Sequence, residues 1–236
     1  MGACGSATFW DRPGQPRQWE RPGLRLELWP GWLHATEQHA TALSARALEE
    51  HLRDTLPWSQ PEVTVYGRRH PVPRLTCWLG DPGCAYAYSG LREEPHPWTA
   101  PLDALRDQLG SALGLRFNSL LLNRYRDGRD RMGWHADDEP ELAADHPIAS
   151  LSLGASRTLR FRPRPRPGRR LGEGEAALGE GASGEAAFGV ELGDGDLLLM
   201  WPPTQRGWQH ALPARLGVKG ERLNLTFRRI RLADRE

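Results

Sequence analysis

Arg222-Leu223-Asn224-Leu225-Thr226-Phe227-Arg228 alternates without a break, guanidinium, amide and hydroxyl groups at one set of positions and Leu or Phe at the other. Successive side chains of a strand point to opposite faces, so this segment has one polar face and one apolar face. A slip of one residue would exchange them, which specifies the register strongly. Two settings fit: a half-exposed strand with a solvated face, or a barrel strand whose polar face lines a lumen. The two arginines stand roughly 20 Å apart along an extended strand. In the lumen setting one would grip a distal carboxylate while the other acts at the opposite end.

Outward from this segment, Ser119 to Tyr125, Ile148 to Leu153, Thr158 to Phe161, Asp196 to Met200 and Arg222 to Ile230 read as serial short strands. Strands of that length and spacing indicate a β-sandwich or barrel. The first also alternates, putting Ser119, Leu121, Asn123 and Tyr125 on one face and offering an amide and a phenol to a cavity. Ordinary core packing of Tyr125 with a satisfied hydroxyl fits equally well. Residues 163–189 hold almost no large apolar side chain and read as a flexible insert. Arg157, Arg160, Arg162, Arg164, Arg166, Arg169 and Arg170 make its first half basic, and Glu173, Glu175, Glu180 and Glu185 follow. A solvated linker and an arm lying along a phosphate backbone are both open.

Residues 1–30, rich in Pro, Gly and Trp, read as an irregular arm, part of it mobile. Leu43, Ala47, Leu48, Leu52 and Leu56 predict an amphipathic helix over 36–56, ended by Pro57, and Leu102, Leu105, Leu109 and Leu113 a second one ended by Gly114. Between them, short strand-like runs broken by Gly67, Pro71, Pro73, Gly80 and Gly83 predict a hairpin-rich lid. The expected division is 1–60 arm and helix, 61–116 lid and supporting helix, and 117–232 core.

With 236 residues the chain suits one catalytic domain. Its 31 basic and 30 acidic residues nearly cancel, so net charge says little about partners. Every basic residue except Lys219 is Arg, which points to codon bias and a GC-rich bacterial source, although Arg also grips carboxylates and phosphates in bidentate fashion. Cys4, Cys77 and Cys84 lack metal-finger spacing, and no apolar segment has signal-peptide or membrane-span length. The expectation is a monomer in the bacterial cytoplasm, with no membrane partner.

The chemistry concentrates in Asn123-Arg-Tyr125-Arg-Asp-Gly-Arg-Asp-Arg-Met-Gly-Trp-His135-Ala-Asp137-Asp138-Glu139 and in Trp208-Gln-His210. Two imidazoles and one carboxylate make the facial triad that holds non-haem Fe(II) with positions left open. His135 and Asp137, two apart on an extended segment, point the same way and can share an ion. With eight histidines, about one His-x-acid match is expected by chance. His210 alone reads as readily as a surface histidine near a turn.

In combination and in order, Asn-Arg-Tyr-Arg-Asp-Gly, Trp-His-Ala-Asp-Asp-Glu, Pro147-Ile-Ala-Ser-Leu-Ser-Leu-Gly-Ala155, Trp-Gln-His and Arg-Leu-Asn-Leu-Thr-Phe-Arg resemble the AlkB family of Fe(II)- and 2-oxoglutarate-dependent dioxygenases, over about residues 61 to 231. The likeness is to the branch of the eukaryotic nucleic-acid demethylases. It implies a double-stranded β-helix (jelly-roll) core with flanking helices under a nucleotide-recognition lid. It implies that His135, Asp137 and His210 ligate iron, and that Asn123, Tyr125, Arg222, Asn224, Thr226 and Arg228 line the 2-oxoglutarate site. Arg228 would hold the C1 end near the iron, and Arg222 with Tyr125 the distal carboxylate. Within the lid, the resemblance gives Tyr66, Gly67 and Arg68 to a hairpin tip with an aromatic wedge, and sets Tyr86, Tyr88 and Ser89 against a flipped base with Asp138 and Glu139 near its polar edge. Packing of Tyr66 under the lid fits equally. The implied activity is oxidative demethylation of 1-methyladenine and 3-methylcytosine in DNA, consuming O2 and 2-oxoglutarate and releasing formaldehyde and succinate. The same chemistry on RNA or a non-nucleic substrate, or a non-catalytic nucleic-acid-binding module, are the alternatives.

Overall fold

Alternation of the kind seen at 222–228 recurs in enough segments to build two facing antiparallel sheets. The computed structural model describes residues 15–36, 43–65, 67–84, 86–88, 91–165 and 186–232, with the backbone alone for residues 65, 86–88 and 91–93. The main sheet runs in the order β1 (Arg17–Arg21), β2 (Leu24–Trp29), β13 (Leu197–Trp201), β10 (Ile148–Gly154), β15 (Arg222–Arg228), β8 (Ser119–Tyr125), β5 (Leu75–Gly80). The smaller sheet runs β12 (Phe188–Leu192), β11 (Arg157–Pro163), β14 (Trp208–Leu212), β9 (Met132–His135). Hairpins β3 (Glu62–Val65) with β4 (Arg68–Pro71), and β6 (Tyr86–Tyr88) with β7 (Leu91–Glu93), stand apart from both. This is the expected jelly-roll architecture with helices outside.

Two apolar layers hold the sheets. Behind the main sheet, Leu120, Leu122, Leu151, Leu153, Leu223, Leu225 and Phe227 pack on Leu48 and Leu52 of α2 (Ala45–Thr55) and on Leu102, Leu105 and Leu109 of α3 (Ala100–Leu113). Between the sheets, Leu24, Leu26, Leu28 and Leu198 meet Phe161, Val190, Leu192, Trp208 and Leu212. Each helix ends for a local reason. The Ser44 hydroxyl accepts from the Ala47 amide and starts α2, while Gly114, at φ 66, closes α3 in the left-handed conformation that glycine adopts without strain.

Four expectations need correction. Residues 17–29 are not an arm: Leu24, Leu26 and Leu28 alternate, and β2 inserts them between the sheets while pairing with β13. The Pro22-Gly23 turn, with Gly23 at φ 75, supplied the loop-like composition. The first long helix begins at Ala45, after a short α1 (Trp32–Thr36). β5, inside the stretch read as lid, pairs with β8 as the edge of the main sheet. The basic run is also not uniform, because Arg157 is fully buried and donates to the carbonyls of Asp127, Asp130 and Pro213. Residues 166–185 of the insert lie outside the described residues. No helix among the described residues is long and apolar enough to cross a membrane.

Candidate metal centre and active-site cleft

Register brings the polar faces of three neighbouring strands together. Across β10, β15 and β8, Ser152, Asn224 and Asn123 fall in one row, and Arg222 sits opposite Tyr125 in the next. Every one of these side chains except Asn224 is buried. The polar face of 222–228 therefore lines a lumen between the sheets, which decides between the two settings its alternation allowed. Buried polar groups need partners, and here they satisfy one another. Arg222 Nη2 donates to Ser152 Oγ (2.9 Å) and Asn224 Oδ1 (2.8 Å), Ser150 Oγ donates to Asn224 Oδ1 (3.0 Å), and Asn224 Nδ2 donates to Thr226 Oγ1 (2.8 Å).

At one end of the lumen, β9 and β14 pair His135 with His210, and Asp137 follows β9 by two residues. One ligand atom from each of the three lies within 4.8 Å of the others. The Nε2 atoms of His135 and His210 are each 3.9 Å from an Asp137 carboxylate oxygen. His135 Nδ1 lies 2.9 Å from the Gly133 carbonyl, which can only accept, so the proton is on Nδ1 and Nε2 presents its lone pair to the centre. Burial, reinforced by His135, pulls the His210 pKa down to about 3 and keeps that imidazole neutral. Burial acts to raise the Asp137 carboxyl, but the Arg228 guanidinium beside it outweighs this and holds it below the usual carboxylate value. Arg228 Nη2 donates to Asp137 Oδ1 at 2.7 Å, and Gln205 Oε1 accepts from the Asp137 amide. Two imidazoles and an ionised carboxylate are the donor set that non-haem Fe(II) takes.

The far end suits a carboxylate. Arg222 is 2% exposed, makes no ion pair among the described residues, and its Nε finds no acceptor among them. Burial brings its pKa down to about 10, so it is cationic at neutral pH. A buried cation without an anion is costly, and a bound dicarboxylate would remove that cost. Tyr125 stands beside it, ring 5.6 Å from the guanidinium carbon, and burial raises its phenol so that it remains a donor. Asn123, Tyr125, Arg222, Asn224, Thr226 and Arg228 thus line one cavity together with His135, Asp137 and His210.

A cleft of about 620 Å³ opens from His135, Asp137 and Arg228 toward β3, β5 and the segment before them. Glu139 lines it. Asp138 does not: it lies outside this cleft, paired with Arg164 at 2.6 Å. Gly67, at φ 76, turns the β3–β4 hairpin, and Arg68 beside it is exposed. Tyr66 and Ser89 lie outside the described residues, as do the side chains of Tyr86 and Tyr88, whose backbone pairs with Glu93 and Leu91.

Several residues of the site had no assigned role in the sequence. Ser150 and Ser152 alternate within an otherwise apolar strand, a signal of a polar lumen that was there to be read. Arg74 is buried and donates from Nε to Asn123 Oδ1 at 2.7 Å, linking the cleft wall to the lumen. Nothing local distinguishes Arg74 from the exposed Arg68 and Arg69, since its burial comes from the fold. Gln205 is equally silent in sequence.

The family model described as the 2OG-Fe(II) oxygenase superfamily matches residues 25–228. The mouse protein named DNA oxidative demethylase ALKBH2 is 42% identical over 169 residues, which is 72% of this chain and 66% of that protein. The human alpha-ketoglutarate-dependent dioxygenase alkB homolog 3 is 34% identical over 231 residues, 93% of this chain and 74% of that one. The bovine and human ALKBH2 matches span 57% and 62% of those proteins, so the chain covers less than two thirds of these ALKBH2 relatives. The solved structure titled OsALKBH1 shares the fold, with a TM-score of 0.54 at 17% identity over 90% of this chain and 99% of that one. With its His-Asp-His centre, arginine-lined lumen and motif order, the chain belongs to the 2OG-Fe(II) oxygenase superfamily and, within it, to the AlkB family.

Proposed function

We propose that the chain is an Fe(II)- and 2-oxoglutarate-dependent oxidative demethylase of N-alkylated bases in DNA, with 1-methyladenine and 3-methylcytosine as substrates. One observation carries the reading: a triad of two imidazoles and an ionised carboxylate, and a buried arginine without an ion pair among the described residues, share a lumen that opens on a base-sized cleft. The names of the mouse and human ALKBH2 relatives, both DNA oxidative demethylases, support DNA over the alternatives.

His135, Asp137 and His210 would hold the iron, and Arg222, Tyr125, Asn123, Asn224, Thr226 and Arg228 the co-substrate. Iron, 2-oxoglutarate and O2, when bound, supply hydroxylation of the N-methyl carbon. The N-hydroxymethyl group then loses its hydroxyl proton to water and breaks its N–C bond, leaving the electron pair on the ring nitrogen and releasing formaldehyde. The chain's own residues do the positioning. Arg228 keeps Asp137 ionised, and the Gly133 carbonyl keeps His135 in the ligating tautomer. Apolar side chains of Val72, Trp78 and Leu121 wall the cleft and exclude water, while Glu139 brings negative charge to a base that alkylation has made cationic.

The test is release of formaldehyde and succinate from a methylated DNA oligonucleotide with Fe(II), 2-oxoglutarate and O2, run beside an RNA of the same sequence. Equimolar release, faster on DNA and abolished by His135→Ala, is expected. Binding of the oligonucleotide with release of neither product would make the chain a binding module. Faster turnover of the RNA would move the substrate.

A further inference from the structure

Among the described residues, large apolar side chains left more than a third exposed are Trp134, Leu216 and Leu232, and Trp134 is the aromatic one. Its position is not a neutral one. Trp134 immediately precedes His135 on β9, borders the cleft, and its ring lies 4.4 Å from the guanidinium carbon of Arg162 on β11. Arg162 is itself held, donating from Nε and Nη2 to Gln209 Oε1 at 3.1 and 3.0 Å. Gln209 in turn immediately precedes His210 on β14. The residues next to the two metal-facing histidines thus build a fixed pair, a tryptophan backed by an anchored cation, on the opposite side of the strands from the metal centre.

Exposing an indole costs free energy that packing it away would recover. Here Arg162 covers one part of the ring and fixes its orientation, and the remainder is left exposed at the edge strand that borders the cleft. A flat ring, held rigid and backed by positive charge, suits a planar π-system carried on an anionic backbone. Arg160, exposed on the same β11 face, adds to that charge. A base can stack on this ring only when it is released from its own duplex neighbours.

We infer that Trp134, backed by Arg162, is a stacking platform for the nucleotide adjacent to the flipped base. The inference rests on the demethylase reading, deepening it to a contact with the neighbouring nucleotide. Trp134 is a binding residue in this scheme and has no part in the chemistry.

The experiment compares wild type, Trp134→Ala and Trp134→Phe on a methylated single-stranded oligonucleotide, on the corresponding methylated nucleoside monophosphate, and in binding of a fluorescein-labelled unmethylated single strand followed by anisotropy. Loss of one stacked base corresponds to about tenfold or more in affinity. Trp134→Ala is expected to raise KM for the oligonucleotide and Kd for the labelled strand by about that factor, with kcat kept within about twofold of wild type. The monophosphate should be unaffected, and Trp134→Phe should restore most of the loss. An oligonucleotide KM unchanged in Trp134→Ala, or an equal rise for the monophosphate, overturns the platform. Succinate formation without nucleic acid checks that the substituted site is intact. If wild type demethylates nothing, the demethylase reading fails, and the anisotropy arm decides the platform by itself.

Discussion

Asp137 and Arg228, each 4% exposed at the side chain and 2.7 Å apart, form a pair whose members depend on each other. Breaking a buried ion pair by deleting one partner costs about 3–5 kcal/mol, because the remaining charge is left uncompensated. Arg228→Ala in the metal-free protein should lose about that much stability at neutral pH in urea unfolding. The difference should shrink in acid as Asp137 takes up a proton, and a pH-independent loss would instead indicate lost packing. His210 sets a second dependence. Its folded pKa of about 3 lies below the ordinary 6.5. Between those values the unfolded chain binds a proton that the folded chain refuses, so the contribution is complete above about pH 6.5 and falls away as pH drops toward 3. Asp137, also held below its ordinary value, is lost in the same direction. Metal-free protein should therefore show a urea midpoint falling steadily from pH 7 to pH 4, and His210→Asn should flatten part of that slope. At this scale the triad and the polar face of β15 were legible in residue type and spacing. Arg74 and Gln205 were not, because burial and hydrogen-bond partners arrive from distant segments.

The elements were readable where a single period repeats. Leucines at helical spacing marked α2 and α3, and seven strictly alternating residues marked β15. β9 was hidden, because Met132-Gly-Trp-His135 is four residues of mixed character at the end of an Arg- and Asp-rich loop. What holds β9 in place is a clasp between loops. The Gly128 amide donates to the Val218 carbonyl and its own carbonyl accepts from the Arg215 amide, while Arg157 donates to three carbonyls around them. A Cβ at Gly128 would run into the Arg215 carbonyl, a backbone atom that cannot turn aside. Gly128→Ala should cost about 1–3 kcal/mol by forcing the two loops apart. Its urea midpoint should fall, and since the clasp lies between Tyr125 and His135, metal affinity should fall with it. An unchanged midpoint would mean that the loops adjust freely.

Over the whole molecule, the main sheet closes only with β1 and β2 in place. Leu24, Leu26 and Leu28 fill the space between the sheets, and β2 covers the edge of β13. Removing residues 1–30 should abolish cooperative thermal unfolding followed by circular dichroism. A truncated chain that melts cooperatively and still binds metal would return these residues to the status of an arm. By itself the sequence determined the strand-rich fold class, the shared direction of His135 and Asp137, and the alternating polar and apolar faces of 222–228, since each depends on residue type at short, regular spacing. Tertiary structure alone decided that the polar face of 222–228 is enclosed and not solvated, that Arg157 is a structural strut, that Asp138 is paired with Arg164, and that Trp134 stands at the cleft. Those outcomes depend on which segments face one another across the sheets, and contacts between residues far apart in the chain leave no local periodicity to read.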